Sequence, residues 1–287
     1  MTNEAPNRPL LRYHGGKWRL APWIIANLPP HRVYVEPFGG AASVLLRKPR
    51  SFSEVYNDVD QEIVNLFRVV REDSARLTRA LIWTPFSREE FSAAYERSED
   101  SFERARRLVV RSFMGFGSTG ASSRNRTGFR SNVTRSHTTP ATDWRSFPET
   151  IRSIARRLRG VVIDSRPAAA VIAQYDAPDV LFYCDPPYVA DTRKGDSRFS
   201  CYRHEMTDAD HEALAAQLAA ARGMVMVSGY RSVLYERLYA GWRSIERDAL
   251  ADGAAPRVEV LWFNAAAWAK RQNNEPLFSE TDRRADA

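Results

Sequence analysis

The chain has 287 residues, 44% of them apolar, with 42 lysines and arginines against 35 acids for a formal charge of +7. That length and apolar fraction support one large core plus an inserted module; a mean hydropathy of -0.46, and no run near the roughly 18 apolar residues that cross a bilayer, lead us to expect a soluble chain. Two cysteines, Cys184 and Cys201, are too few for a disulfide framework or a cysteine zinc cage; the histidines form no HExxH pattern, and no metal is expected.

The first residues, MTNEAPNRPLLRYHGGK, contain no apolar stretch of the kind that exports a chain, so a cytoplasmic address is the expectation. They include Tyr13-His14-Gly15-Gly16-Lys17, a flexible glycine pair between an aromatic and a cation. This suits a loop folding over a ligand, and it suits equally a surface turn with Lys17 in water. Residues 33–38 (VYVEPF) then read as a short strand running into Gly39-Gly40-Ala41-Ala42-Ser43 and a helical SVLLRKP. A strand, a glycine turn and a helix offer backbone N–H groups to an anion such as a carboxylate or a phosphate. The next strand, SEVYND, delivers Asp58 about 20 residues after the glycines, where an acid commonly accepts from ribose hydroxyls. Asp60 is its neighbour and rival, and an N-cap for the following helix is the bland alternative for Asp58. The helical stripe Ile63, Val64, Leu66, Phe67 and Val70 follows, so the pattern so far is βαβα.

From about residue 72 to 155 the character changes. Helix-like pieces (ARLTRALIW, REEFSAAYERS, FERARRLVVRSFMGF) lead into the polar stretch GSTGASSRNRTGFRSNVTRSHTTPATDW, which reads as a disordered segment or a binding loop. Residues 104–160 hold thirteen arginines, no lysine and only Asp143 and Glu149 as acids, a segment charge of +11 that leaves -4 for the rest. A solvated helix face would carry interleaved glutamates, so a basic block in an acidic body points to a polyanion, namely nucleic acid. Arg124, Asn125, Arg126 and Arg130 are the side chains expected nearest the bases.

Strand signals resume with GVVID, whose Asp164 closes a strand, and with DVLFYC before Asp185-Pro186-Pro187-Tyr188. A helix (DADHEALAAQLAAARG), a strand (MVMVSGY), a helix (SVLYERLYAGW) and a late strand (RVEVLWFN) complete an α/β alternation. Ligands of such a sheet sit at the carboxyl ends of its strands, where EPFGG, Asn57-Asp58 and DPPY would converge. Two consecutive prolines fix two φ angles and remove two N–H donors, so the DPPY corner is stiff. An aryl amine is a poor nucleophile because its lone pair is delocalised into the ring. Acceptors on its two hydrogens, Asp185 and the Pro186 carbonyl, would localise that pair by preorganised electrostatics. Tyr188 offers a flat face to a base turned out of a duplex.

The order RYHGGK, YVEPFGGAAS, YNDVD, a basic insert and DPPY, over roughly residues 10 to 270, resembles the Dam-like adenine-specific DNA methyltransferases. The resemblance implies a Rossmann-like S-adenosylmethionine-dependent methyltransferase fold: a mixed sheet with helices on both faces and an inserted, mainly helical DNA-recognition domain. It implies a catalytic body of residues 1–70 and 156–275, a recognition insert of 71–155 and a frayed tail of 276–287. Tyr13, Lys17, Glu36, Phe38, Gly39 and Gly40 would line the S-adenosylmethionine pocket together with Asp185. Asp58 would hold the ribose and Asp164 the cofactor's adenine, while Asp185, Pro186, Pro187 and Tyr188 would be catalytic. FSCYRHE, with Tyr202, fits the family's DNA-contacting loop after DPPY. One departure is Ala42, where the family often has glycine; its methyl would crowd the cofactor.

The implied function is methyl transfer from S-adenosylmethionine to N6 of a flipped-out adenine in double-stranded DNA, by a monomer or by a dimer on DNA, with a restriction system as one setting. Two alternatives remain at this point. One is an RNA or cytosine amino-methyltransferase on the same fold, and the other is a catalytically silent nucleic-acid-binding module.

Overall fold

The computed structural model describes residues 5–123, 125–132, 138–192, 202–250 and 256–272. The first half runs α1 (Ala21–Ala26), β1 (Val33–Glu36), α2 (Ser43–Arg47), β2 (Ser53–Asn57), α3 (Gln61–Trp83), α4 (Arg88–Ala93), α5 (Ser101–Met114), α6 (Thr119–Ser122), α7 (Pro140–Ser146) and α8 (Glu149–Leu158). The second half runs β3 (Val161–Asp164), α9 (Ala168–Tyr175), β4 (Val180–Cys184), α10 (Asp208–Ala219), β5 (Met224–Tyr230), α11 (Val233–Leu238), β6 (Arg243–Leu250), β7 (Pro256–Phe263) and α12 (Ala265–Gln272). Local chemistry sets several boundaries. Asp60 caps α3 by accepting from the Glu62 N–H, Thr139 caps α7 ahead of Pro140, and Thr207 and Asp210 cap α10 reciprocally, each satisfying N–H groups that the first helical turn leaves open.

The seven strands form one sheet in the order β3-β2-β1-β4-β5-β7-β6, parallel from β3 to β5 and antiparallel at β7 and β6. Strand alternation sends side chains to opposite faces. Tyr34, Leu181, Tyr183, Met226, Leu261 and Phe263 enter one buried cluster, while Val35, Phe182, Val225, Val227, Val260 and Trp262 enter the other. The first cluster also takes in α3, α5 and α8 through Phe67, Leu108 and Ile154, and the second takes in α9, α10 and α11 through Ile172, Leu214 and Tyr235. Helices thus cover both faces of a mixed sheet, the α/β Rossmann-like architecture.

The chain order reverses between β1 and β4, so the crevice outside their carboxyl ends is where ligands of such sheets bind. The boundaries expected at residues 70/71 and 155/156 fall inside α3 and α8, and α3 itself is broken at Asp73, whose φ of -143° and ψ of 54° are non-helical. Of the polar stretch from Gly117, the described residues include α6 and a bridge between Gly115 and Phe129. The expected tail, 276–287, lies outside the described residues. No described helix is long and apolar enough to cross a membrane.

Candidate active site

The glycine turn after β1 is built to stay close to its neighbours. A Cβ on Gly39 would stand 2.2 Å from the Tyr56 ring, and Gly40 adopts a left-handed φ of 47° with Tyr13 packed against it. Asn57, fully buried, donates to the carbonyls of Pro37 and Arg166 and accepts from the Arg166 N–H, so one amide ties together the ends of β1, β2 and β3. Asp58 Oδ2 accepts from the Gly40 N–H at 2.7 Å, and its Oδ1 accepts from the Asp60 N–H at 2.7 Å. The cap on α3 is Asp60 and not Asp58, which leaves Asp58 on the cavity wall. Burial pushes the Asp58 carboxyl up to about 6, with the N–H bonds of Asp60 and Gly40 pulling the other way. Glu36 is buried beneath the turn, where its Oε2 accepts from the Leu45 N–H at 3.2 Å. Burial, aided by Asp185, raises its carboxyl well above the ordinary range.

These groups open on a cavity of about 460 Å³, within the size of ligand clefts. Its lining includes Tyr13, Lys17, Glu36, Phe38, Gly39, Gly40, Asp58 and Asp185, so the expected pocket residues are brought together. Asp164 is the exception: it does not line the cavity, and its carboxylate is engaged by the Arg166 guanidinium at 2.6 Å and the Ser165 N–H at 2.8 Å. Arg166 and Pro167 form that part of the wall. Ala42 has a left-handed φ of 54°, but it is fully buried in the core and absent from the cavity wall, so its methyl does not crowd a ligand.

The DPPY corner follows β4, which ends at the buried thiol of Cys184. Asp185 Oδ1 accepts from Ser228 Oγ of β5 at 2.7 Å and pairs with Lys17 Nζ at 2.8 Å. Tyr183 OH stands 3.0 Å from the same serine oxygen. Lys17 is only 5% exposed, so the solvated surface turn is not what forms. Its ammonium donates to the Gly15 carbonyl at 2.9 Å, lies 4.4 Å from the centre of the Tyr188 ring and stands 3.7 Å from Glu259 Oε1. Burial alone would lower the Lys17 pKa, but the charges of Asp185 and Glu259 outweigh it and hold the ammonium above its ordinary value. Tyr188 is buried, its hydroxyl donating to Glu259 and its ring meeting Tyr230 edge-on. Pro187 and Tyr183 line the cavity beside Asp185, whereas Pro186 and Tyr188 do not.

Residues 202–206 also line the cavity. Tyr202 stands against Gly15, whose added Cβ would meet its hydroxyl at 2.3 Å, and its ring lies near those of Tyr13 and His14. Arg203 pairs with Asp60 at 2.7 Å while its N–H donates to the Ser122 carbonyl of α6, so one residue touches both the pocket wall and the insert. Tyr202, expected on DNA, lines the cavity.

Of the other expected DNA contacts, Arg124 lies outside the described residues. Asn125 and Arg126 are exposed, the Arg126 guanidinium 5.1 Å from the centre of the Tyr95 ring. Arg130 is 7% exposed and donates to the Phe113 carbonyl, so its guanidinium is turned into the insert. The missing acids of the basic block are supplied from elsewhere in space. Arg104 pairs with Glu62, Arg106 with Glu90 and Glu103, Arg107 with Glu103, and Arg157 with Glu54. Among the described residues no group of three His, Cys, Asp or Glu side chains could hold a metal ion.

Ser228 and Glu259 were not among the expected site residues. Each sits inside an apolar strand, VMVSGY and RVEVLWFN, and a lone polar residue on a buried strand is the signal that points to them.

Residues 13–251 match the family model of the D12 class N6 adenine-specific DNA methyltransferases. The chain is 25% identical over 224 residues to the DNA adenine methylase of Escherichia coli (strain K12), covering 74% of this chain and 76% of that protein. It is 25% identical over 252 residues to that of Salmonella typhi, covering 81% and 84%, and 26% identical over 253 residues to that of Vibrio cholerae serotype O1, covering 82% and 85%. With the turn, the cavity and the DPPY corner assembled on one sheet edge, and with a model spanning most of the sequence, the chain belongs to the D12 class N6 adenine-specific DNA methyltransferases.

Proposed function

We propose that the cavity between the glycine turn and the DPPY corner binds S-adenosylmethionine, and that a target adenine turned out of duplex DNA meets it at Asp185. Family membership makes the reaction methylation of adenine N6 in DNA, ahead of the RNA, cytosine and silent-binder alternatives. The observation that carries the site assignment is Asp185 on the wall of the same cavity as Asp58 and Gly40.

The residues present fit the cofactor. Asp58 is placed to accept from ribose hydroxyls, and Phe38 and Tyr13 give apolar faces for an adenine and a methylene chain. The wall formed by Arg166 and Pro167 takes over the place expected for Asp164. When bound, S-adenosylmethionine supplies an electrophilic methyl on its own leaving group.

The chain supplies geometry and acceptors. Asp185 and the Pro186 carbonyl accept from the two hydrogens of the target amine and localise its lone pair, and the proline pair holds them there without reorganisation. Ser228 fixes the Asp185 carboxylate through Oδ1. Tyr188, clamped by its hydroxyl, gives the extruded purine a face of fixed orientation. On the DNA side, Arg126 and Asn125 are exposed on the described part of the polar stretch, and they are assigned to the duplex.

The test is Asp185→Ala. Transfer of labelled methyl from S-adenosylmethionine to unmethylated plasmid DNA should fall to background while calorimetry still detects cofactor binding. Retained transfer would refute the assignment.

A further inference from the structure

Lys17 holds the place that a target base needs. Its ammonium is bonded to Asp185 Oδ1 at 2.8 Å and lies 4.4 Å from the centre of the Tyr188 ring, the acceptor and the flat face assigned above to the amine and the purine. An adenine entering the corner must displace it, and a buried charge that loses its partner is costly.

A second carboxylate waits beside it. Glu259 Oε1 is 3.7 Å from Lys17 Nζ, accepts from the Tyr188 hydroxyl and is 1% exposed. It lies beyond residue 251, where the family match ends. It reaches the corner because β7 is antiparallel: Glu259, near the start of that strand, pairs with Tyr230 at the end of β5. The three residues after it, Val260, Leu261 and Trp262, are buried and Glu259 is buried with them, so a carboxylate at this position has no packing rationale of its own.

We propose that Glu259 is a positioning residue for methyl transfer: it anchors the Tyr188 hydroxyl and receives the Lys17 ammonium when the target amine claims Asp185. The ammonium then moves between two carboxylates without entering water or standing unpaired, and Asp185 is released to the substrate. The proposal rests on the reading of Asp185 as the amine acceptor.

Glu259→Gln separates the parts, because the amide carbonyl still accepts from Tyr188 but offers no charge to Lys17. In the labelled-methyl assay on plasmid DNA its kcat should fall at least about tenfold, with KM for DNA and calorimetric S-adenosylmethionine affinity within about twofold of wild type, the signature of an interaction realised at the chemical step. Glu259→Asp, which keeps the charge, should stay within about threefold of wild-type kcat. A wild-type kcat in the glutamine variant, or equal losses in the two variants, overturns the proposal. If Glu259→Gln does not fold, Tyr188→Phe decides through the anchor: a loss of about fivefold or more in kcat supports it, and a wild-type kcat overturns it. An active Asp185→Ala would sink the site reading and this proposal together, whereas an active Glu259→Gln beside a dead Asp185→Ala sinks this proposal alone.

Discussion

Asp58 links the pocket to pH. Its carboxyl is raised from an ordinary 3.8 to about 6, chiefly by burial. The folded chain thus binds this proton more tightly than the unfolded one, and the stability drawn from this group is greatest below about pH 4 and declines as pH rises towards about 6. Under the proposed assignment, a ribose diol donating to the carboxylate would reverse the preference, and binding would expel the proton. S-adenosylmethionine affinity should therefore weaken below about pH 6, by about tenfold between pH 7 and pH 5; calorimetry across that range checks it, and a flat profile would separate Asp58 from the cofactor. Ala42 makes a second case. Its left-handed backbone costs about 1–2 kcal/mol, but glycine there would lose a buried methyl and add unfolded-state entropy of similar total size. Ala42→Gly should change stability by less than about 1 kcal/mol in urea denaturation and leave cofactor affinity unaltered. Residue reading from sequence worked where backbone chemistry is local: a proline pair, a glycine turn and an acid at a strand end announce themselves. It missed Ser228 and Glu259 and could not choose a role for Lys17, because their roles come from partners 43, 71 and 168 residues away.

At the scale of elements, α8 and β2 are joined by a buried ionic clamp. Arg157 donates to both oxygens of Glu54, at 2.6 and 2.9 Å, and to the Leu45 carbonyl, while Lys48 Nζ meets Glu54 at 2.7 Å. Burial pushes the Glu54 carboxyl up, but the bonds from Arg157 and the charge of Lys48 outweigh it and hold the group below its ordinary value. Removing one partner of such a cluster leaves charge stranded in a dry site. Arg157→Met should destabilise the fold by about 3–5 kcal/mol, read as a shift of the urea midpoint at unchanged slope. The central strands were legible because β4 and β5 are almost continuously apolar, as strands covered on both faces must be. β6 was not: RSIERDAL lies at the sheet edge, where charges are tolerated and discourage pairing with other chains, so no hydrophobic alternation marks it. α8 was hidden for a related reason, its arginines reading as part of a nucleic-acid footprint when Arg157 belongs to the core.

Across the whole molecule, the charge asymmetry is real but only part of it faces outward. Among the described residues, Arg104, Arg106, Arg107 and Arg157 form ion pairs with glutamates, and Arg130 is buried. Exposed Arg126 and paired Arg106 should therefore respond differently to substitution. Arg126→Gln should reduce the slope of log affinity for DNA against log salt by about 0.9, while Arg106→Gln should leave that slope unchanged and lower thermal stability instead; filter binding over a salt series and a melting curve distinguish them. Sequence supplies the sign of a segment's charge, whereas only three-dimensional pairing decides which cations remain for phosphate.

The placement of β7 carries a consequence for how the enzyme comes into being. β7 lies between β5 and β6 although it is made after both, so β6 lacks its partner and the DPPY corner has no Glu259 until β7 leaves the ribosome. A nascent chain that already displays its proline corner is thus still unfinished. A version truncated at residue 255 should lack modification activity even where it retains the glycine turn, so that a chain stopped short of β7 leaves DNA unmarked.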